Sequence, residues 1–193
     1  IQTDFRKNIV FSFFGQIVTD QEGYASRNPG LEAQIRPASN ITLSLGPSFS
    51  HDETGAQYIM RVADSAASTF YGNRYVFSDL VQNSLNMDTR FNVTFTPNLT
   101  FEFYGQPFVS TGTYADIREV SSTPGADKYD DRFVAYAPPE GTKTQFKYTQ
   151  LRTNTVVRWE YRPGSTLFVV WTQGRQDDSN QNPDQSWSRD YRD

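Results

Sequence analysis

Between Leu85 and Phe95, the apolar residues Leu85, Met87, Phe91, Val93 and Phe95 alternate with Asn86, Asp88, Arg90, Asn92 and Thr94. After Thr96-Pro97-Asn98 the pattern resumes, with Leu99, Phe101 and Phe103 set against Thr100, Glu102 and Tyr104. Successive side chains of a strand point to opposite faces, so this period predicts two strands, each with one apolar and one polar face. Pro97 presets φ and Asn98 suits a turn, which makes the link a tight hairpin. The polar face carries Asp88, Arg90 and Glu102 and not hydroxyls alone. Such a ribbon can lay its apolar face on a protein core with its charges in water. It can equally lay that face on lipid, with the charges inside a barrel.

The same period recurs along the chain. It predicts strands over 9–18, 31–36, 41–63 (weakened at 51–56), 74–96, from 99 to near 110, 144–161 and 167–173, and no helix. Tight turns are expected at 6–8, 37–40, 97–98 and 163–164, and longer connections at 20–28, 64–73, 112–142 and from 176 onward. Short and long links therefore alternate, which in an up-and-down meander gathers the tight turns at one end and the long loops at the other. Outer-membrane barrels have that asymmetry. A strand of about 23 residues spans roughly 75 Å, far longer than is usual in soluble sheets, so the far halves of the third and fourth strands would stand clear of a bilayer. Phe95, Trp159 and Tyr161 near the tight turns suit an interfacial girdle. The alternative is a soluble β-sandwich or barrel, whose strands alternate in the same way.

Composition narrows the choice. Aromatic residues make up 15% of the 193 residues, yet mean hydropathy is −0.65. That pairing argues against disorder and suits strands that are apolar on one side. No apolar run approaches the roughly 20 residues of a membrane helix. A net charge of −4 without a basic cluster gives no footprint for nucleic acid. With no cysteine there are no disulfides and no thiolate metal sites. The opening IQTDFRKN resembles the tail of a strand and a turn, not a leader.

Three phrases, RYVFSDL (74–80), TRFNVTFTPNLTFEFYGQPFVSTGTY (89–114) and above all LRTNTVVRWEYRPGSTLFVVWTQGR (151–175), resemble the C-terminal region of the DUF5916 proteins. IRPASNITLSLGPSFS (35–50) and AQYIMRVADS (56–65) fit the same region in the same order. The resemblance implies a bacterial protein with a carbohydrate-binding-like β domain ahead of an outer-membrane barrel. That first domain and a strand to close the barrel are missing from this sequence. Residues 1–193 are therefore expected to form one outer-membrane barrel segment, a C-terminal fragment that supplies about seven strands of a larger antiparallel up-and-down transmembrane β-barrel. The family supplies no catalytic residues to carry over.

On this reading the inward face carries Glu32, Gln34, Arg36, Asn86, Asp88, Arg90, Glu102, Tyr104, Gln106, Arg158 and Glu160. Of these, Glu32, Arg36, Asp88, Arg90, Glu102, Tyr104, Arg158 and Glu160 are the expected lumen lining. They would line a polar passage or fill the lumen as cross-strand pairs. The one histidine, His51, sits near Ser48, Ser50, Asp52 and Glu53, but neighbours on a strand face opposite ways, so no catalytic group is expected. Asp127, Asp130 and Asp131, and Asp177, Asp178 and Asp184, lack the spacing of a calcium loop, so no metal or cofactor is expected. Sequons at Asn40, Asn92 and Asn98 read as chance matches in Thr-rich strands. Tyr24, Tyr71, Tyr114, Tyr129 and Tyr136 are aromatic residues assigned to loops that could stack on sugars. The expected function is a non-enzymatic channel or uptake component of the bacterial outer membrane, with carbohydrate as a candidate cargo. The alternative is a non-conducting barrel that anchors a carbohydrate-binding-like domain or docks to a larger assembly. The expected partners are outer-membrane lipid and further strands or subunits that complete the barrel.

Overall fold

A computed structural model describes residues 1–21 and 23–178. The described chain is an antiparallel meander: β1 (Ile9–Thr19), β2 (Ala25–Ala38), β3 (Ile41–Ala63), β4 (Asn73–Thr96), β5 (Leu99–Val120), β6 (Phe133–Ala135), β7 (Gln145–Arg162) and β8 (Ser165–Asp177). The eight-stranded sheet has the order β1-β2-β3-β4-β5-β7-β8, with β6 paired to β5. Among the described residues the helical pieces are two short turns, Ser68–Phe70 and Tyr129–Arg132. No described helix is long and apolar enough to cross a membrane. The all-β, up-and-down expectation is met. Among the described residues the sheet does not close into a barrel, since β1 and β8 end the strand order on opposite sides.

The tight turns fall together at one end, between β2 and β3, β4 and β5, and β7 and β8. The fourth, just before β1, is built by Asp4, whose side chain accepts from Arg6 N–H at 3.0 Å and whose carbonyl accepts from Lys7 N–H at 3.1 Å. Ahead of it the first residues return along β1, with Gln2 bridging Ser12 and Thr3 N–H donating to Phe11 O at 2.9 Å. The opening thus pairs with β1 through an isolated bridge and is not itself a strand.

Several strands outrun their pattern. β2 begins at Ala25, not near Leu31, because Asp20 closes a short hairpin by accepting Tyr24 N–H at 2.8 Å. Asn28 and Pro29, where the expected connection over 20–28 ends, mark a gap in the β2–β3 ladder, between Arg27↔His51 and Gly30↔Ser48, where proline has no N–H to offer. β3 does not weaken at 51–56; it continues through register shifts between Thr54 and Gln57 and between Tyr58 and Met60. β5 runs past Ser110 to Val120, its small residues carried by ladders on both sides as far as Thr113. Beyond that point a bulge at Asp116, with φ 49°, shifts the register against β4. Above β7, the edge of β5 is covered by β6, through Arg118↔Ala135 and Val120↔Phe133, which blunts an otherwise open strand edge. The expected loop over 112–142 is thus confined to two stretches on either side of β6.

Among the described residues no second layer covers the faces of this one sheet. Only Val10, Val76, Leu80, Val93 and Val109 among the described apolar residues are buried. The register sorts most of the other side chains by face, although Val10, Phe168 and Val170 fall on the more polar one. One cross-strand row reads Ile9, Ile35, Leu43, Phe91, Phe103, Thr155 and Trp171. An alternate row reads Val10, Gln34, Ser44, Arg90, Tyr104, Asn154 and Thr172, polar in all but its first member. The first face carries a broad apolar belt whose members include exposed Phe11, Phe13, Phe49, Leu167 and Trp171. On β3 the belt spans Ile41, Leu43, Leu45, Pro47 and Phe49, and it stops at a polar row of Arg27, His51, Asn83, Thr111 and Lys147.

Candidate functional site

The opposite face is mainly polar and carries two hollows. Side chains from β1 to β4 enclose a cavity of about 430 Å³: Phe14, Glu32, Gln34, Ser44, Asp88 and Arg90 bound most of it. A second hollow of about 280 Å³ continues across β5 and β7, lined by Glu102, Tyr104 and Asn154, and it shares Arg90 and Asn92 with the first. Arg90 therefore stands between the two.

Asp88 organises this wall. Its carboxylate accepts from Tyr104 O–H at 2.7 Å, Asn86 Nδ2 at 2.9 Å and Gln106 Nε2 at 3.2 Å. Three donors on one carboxylate satisfy it without a cation. With its hydroxyl held, the Tyr104 ring lies under the Arg90 guanidinium, 5.3 Å from ring centre to Cζ, a cation–π geometry. Arg90 makes no ion pair with a described residue, although Glu32 and Glu102 share the face.

The register thus brings Glu32, Asp88, Arg90, Glu102 and Tyr104 to one surface. Arg158 and Glu160 lie nearer the tight turns, 3.7 Å apart, and Glu160 also accepts Gly164 N–H at 3.1 Å, which ties it to the last hairpin. Arg36 serves the first turn: its guanidinium donates to Phe5 O at 2.5 Å and Lys7 O at 3.1 Å. Phe14 is a component that alternation hides. Phe13-Phe14-Gly15 puts aromatic residues on both faces of β1, and the Phe14 ring lies across Gly30, whose added Cβ would come within 2.2 Å of the ring. The signal in the sequence was the break in period itself.

Towards the long-loop end the same face fills with rings, Phe108 with Tyr148 at 6.1 Å and Tyr114 with Phe146 at 5.9 Å. Beyond lies a ribbon of β3, β4 and β5 braced by two arginines. Arg74 binds Asp64 at 2.5 Å and Glu119 at 3.0 Å. Arg118 binds Asp79 at 2.9 Å and Asp116 at 2.8 Å, donates to the Gly55 carbonyl, and lies over the Phe133 ring. The Ala66 N–H and the Arg74 guanidinium hold the Asp64 carboxyl below the usual range. Burial pushes that of Asp79 up, against the pull of Arg118.

His51 belongs to the other face. It contacts Asn83 at 2.8 Å and Glu53 at 2.9 Å, whereas Ser48 lines the cavity and Asp52 accepts from Ser26 at 2.6 Å. Among the described residues no three acidic or histidine side chains gather as a metal site; Asp184 lies outside them. Tyr114 packs on Phe146 and Tyr129 on Phe133, while Tyr71 is fully exposed at the tip before β4.

The sequence profile of DUF5916, a domain of unknown function, matches residues 1–192. The chain belongs to the DUF5916 family. No curated protein and no solved structure matches this member of DUF5916.

Proposed function

We propose that this DUF5916 chain is a segment of a bacterial outer-membrane β-barrel that serves as a channel or uptake component, with the apolar belt in lipid and the mainly polar face lining the interior. The observation that carries this reading is the slant of the belt. On β1 the belt centres on Phe13, and on β8 it centres on Val169, but register steps from Phe13 across the sheet lead to Arg175. The belt has slipped about 20 Å along the strands while crossing roughly 29 Å of interstrand spacings. That corresponds to strands inclined at about 35° to the belt's normal, within the tilt of membrane barrels. A soluble sandwich would have its second layer over this face, and none of the described residues forms one.

A specific observation favours a second reading. The ring pairs Phe108–Tyr148 and Tyr114–Phe146 occupy the inner face above the cavity, as they would in a filled, non-conducting barrel that anchors or docks other domains.

The chain has no cysteine, so single cysteines report cleanly. In outer-membrane vesicles, Ser44→Cys and Ser48→Cys are expected to react with a membrane-impermeant maleimide, and Leu43→Cys and Leu45→Cys only with a lipid-soluble one. Equal aqueous labelling at all four positions would overturn the membrane reading. Current across a planar bilayer then separates channel from filled barrel.

A further inference from the structure

We propose that the mainly polar face holds a binding site for a neutral, hydroxyl-rich ligand of the oligosaccharide class, with Phe14 as its stacking platform and Arg90 as its central hydrogen-bond donor. The inference rests on the polar face lining a water-filled interior.

Four features argue for a ligand. The cavity, about 430 Å³, falls within the size of small-molecule sites. Phe14 is 57% exposed on an otherwise polar wall, and Gly30 is what gives its ring room to lie flat against the backbone. An exposed ring beside polar groups suits a partner with both an apolar C–H face and polar edges. Arg90 is held in place by Tyr104, itself anchored on Asp88, while its own donors find no described carboxylate. Gln34, Asn92, Ser44 and Ser48 around it both donate and accept.

Charge then selects the class. Glu32 and Asp88 line the first hollow and Glu102 the second, so an anion brought to Arg90 meets carboxylates on both sides. A cation drawn to those carboxylates meets Arg90 at their centre. A neutral polyol satisfies both kinds of group, since each hydroxyl donates to a carboxylate and accepts from the guanidinium. The same wall discriminates against charged relatives by leaving one charge opposed.

The test is calorimetric titration of the purified chain in detergent micelles with maltohexaose, cellohexaose and xylohexaose, and with an oligogalacturonate as the anionic counterpart. At least one neutral oligosaccharide is expected to bind saturably. Phe14→Leu, which keeps an apolar side chain, and Arg90→Gln should each weaken binding about tenfold or more. Phe168→Ala, an aromatic removed outside the cavity, should leave binding unchanged. Absence of binding by every neutral probe, tighter binding of the oligogalacturonate, or full affinity in Phe14→Leu would each overturn the proposal. Cysteine labelling keeps its failure distinct from that of the barrel: Ser44→Cys open to water with no sugar bound sinks the ligand site alone.

Discussion

At the scale of single residues, Asp88 and Gly30 carry the sharpest consequences. Asp88→Ala removes the acceptor of the Tyr104 hydroxyl, the Asn86 amide and the Gln106 amide together. Leaving a half-buried hydroxyl unpaired costs about 1–3 kcal/mol, so the denaturation midpoint in micelles should fall by a corresponding amount. Asp88→Asn, which keeps an acceptor oxygen, should fall less. Gly30→Ala drives a methyl into the Phe14 ring and should cost about 1–3 kcal/mol through overpacking. In a Phe14→Ala background that cost should vanish, and a double-mutant cycle measures the coupling directly. Asp88, Arg90 and Tyr104 were legible as one face because period two alone places them there. Phe14 stood out only as a break in period: Ile9, Phe11, Phe13 and Ile17 turn it to the other face, but nothing local shows that Gly30 lies beneath its ring. Nor could the sequence show Arg36 serving a turn, because the carbonyls it binds belong to Phe5 and Lys7 on another segment.

At the scale of elements, the ribbon beyond the belt stands on its own ion pairs. The Asp64 carboxyl is held low, first by the Ala66 N–H and then by Arg74. A folded pKa below the unfolded one gives a contribution that is complete above the ordinary carboxylate value, about 4. It is lost as pH falls through the depressed folded value. Amide exchange protection over 64–74 should therefore hold from neutral pH down to about 4 and decline below it. Asp64→Asn should abolish that dependence, with hydrogen exchange as the readout. The lengths of β4 and β7 were legible from alternation, as was the pairing of tight turns with one end. The full reach of β2 and β5 was not. Ser26 and Ser110 are polar and yet buried, so local composition reads as loop where neighbouring strands supply the hydrogen bonds.

At the scale of the whole molecule, the belt makes the boldest prediction. Leu45 sits at its middle on β3, and Ser44 beside it faces the cavity. In lipid, Leu45→Arg should cost about 2–4 kcal/mol, the penalty for a cation near the bilayer midplane, while Ser44→Arg should be tolerated. Folding titrations into lipid vesicles compare the two, and equal costs would contradict a lipid-facing belt. Alternation, turn residues and the order of short and long links were determined by the sequence itself, because each is set within a few residues of backbone. Only the tertiary structure decided the slant of the belt, the bulges, the meeting of Arg74 with Glu119 and of Arg118 with Asp79, and the ring of Phe14 over Gly30. These depend on register between strands distant in sequence, and a shift of one residue in any ladder would turn that strand's side chains to the other face.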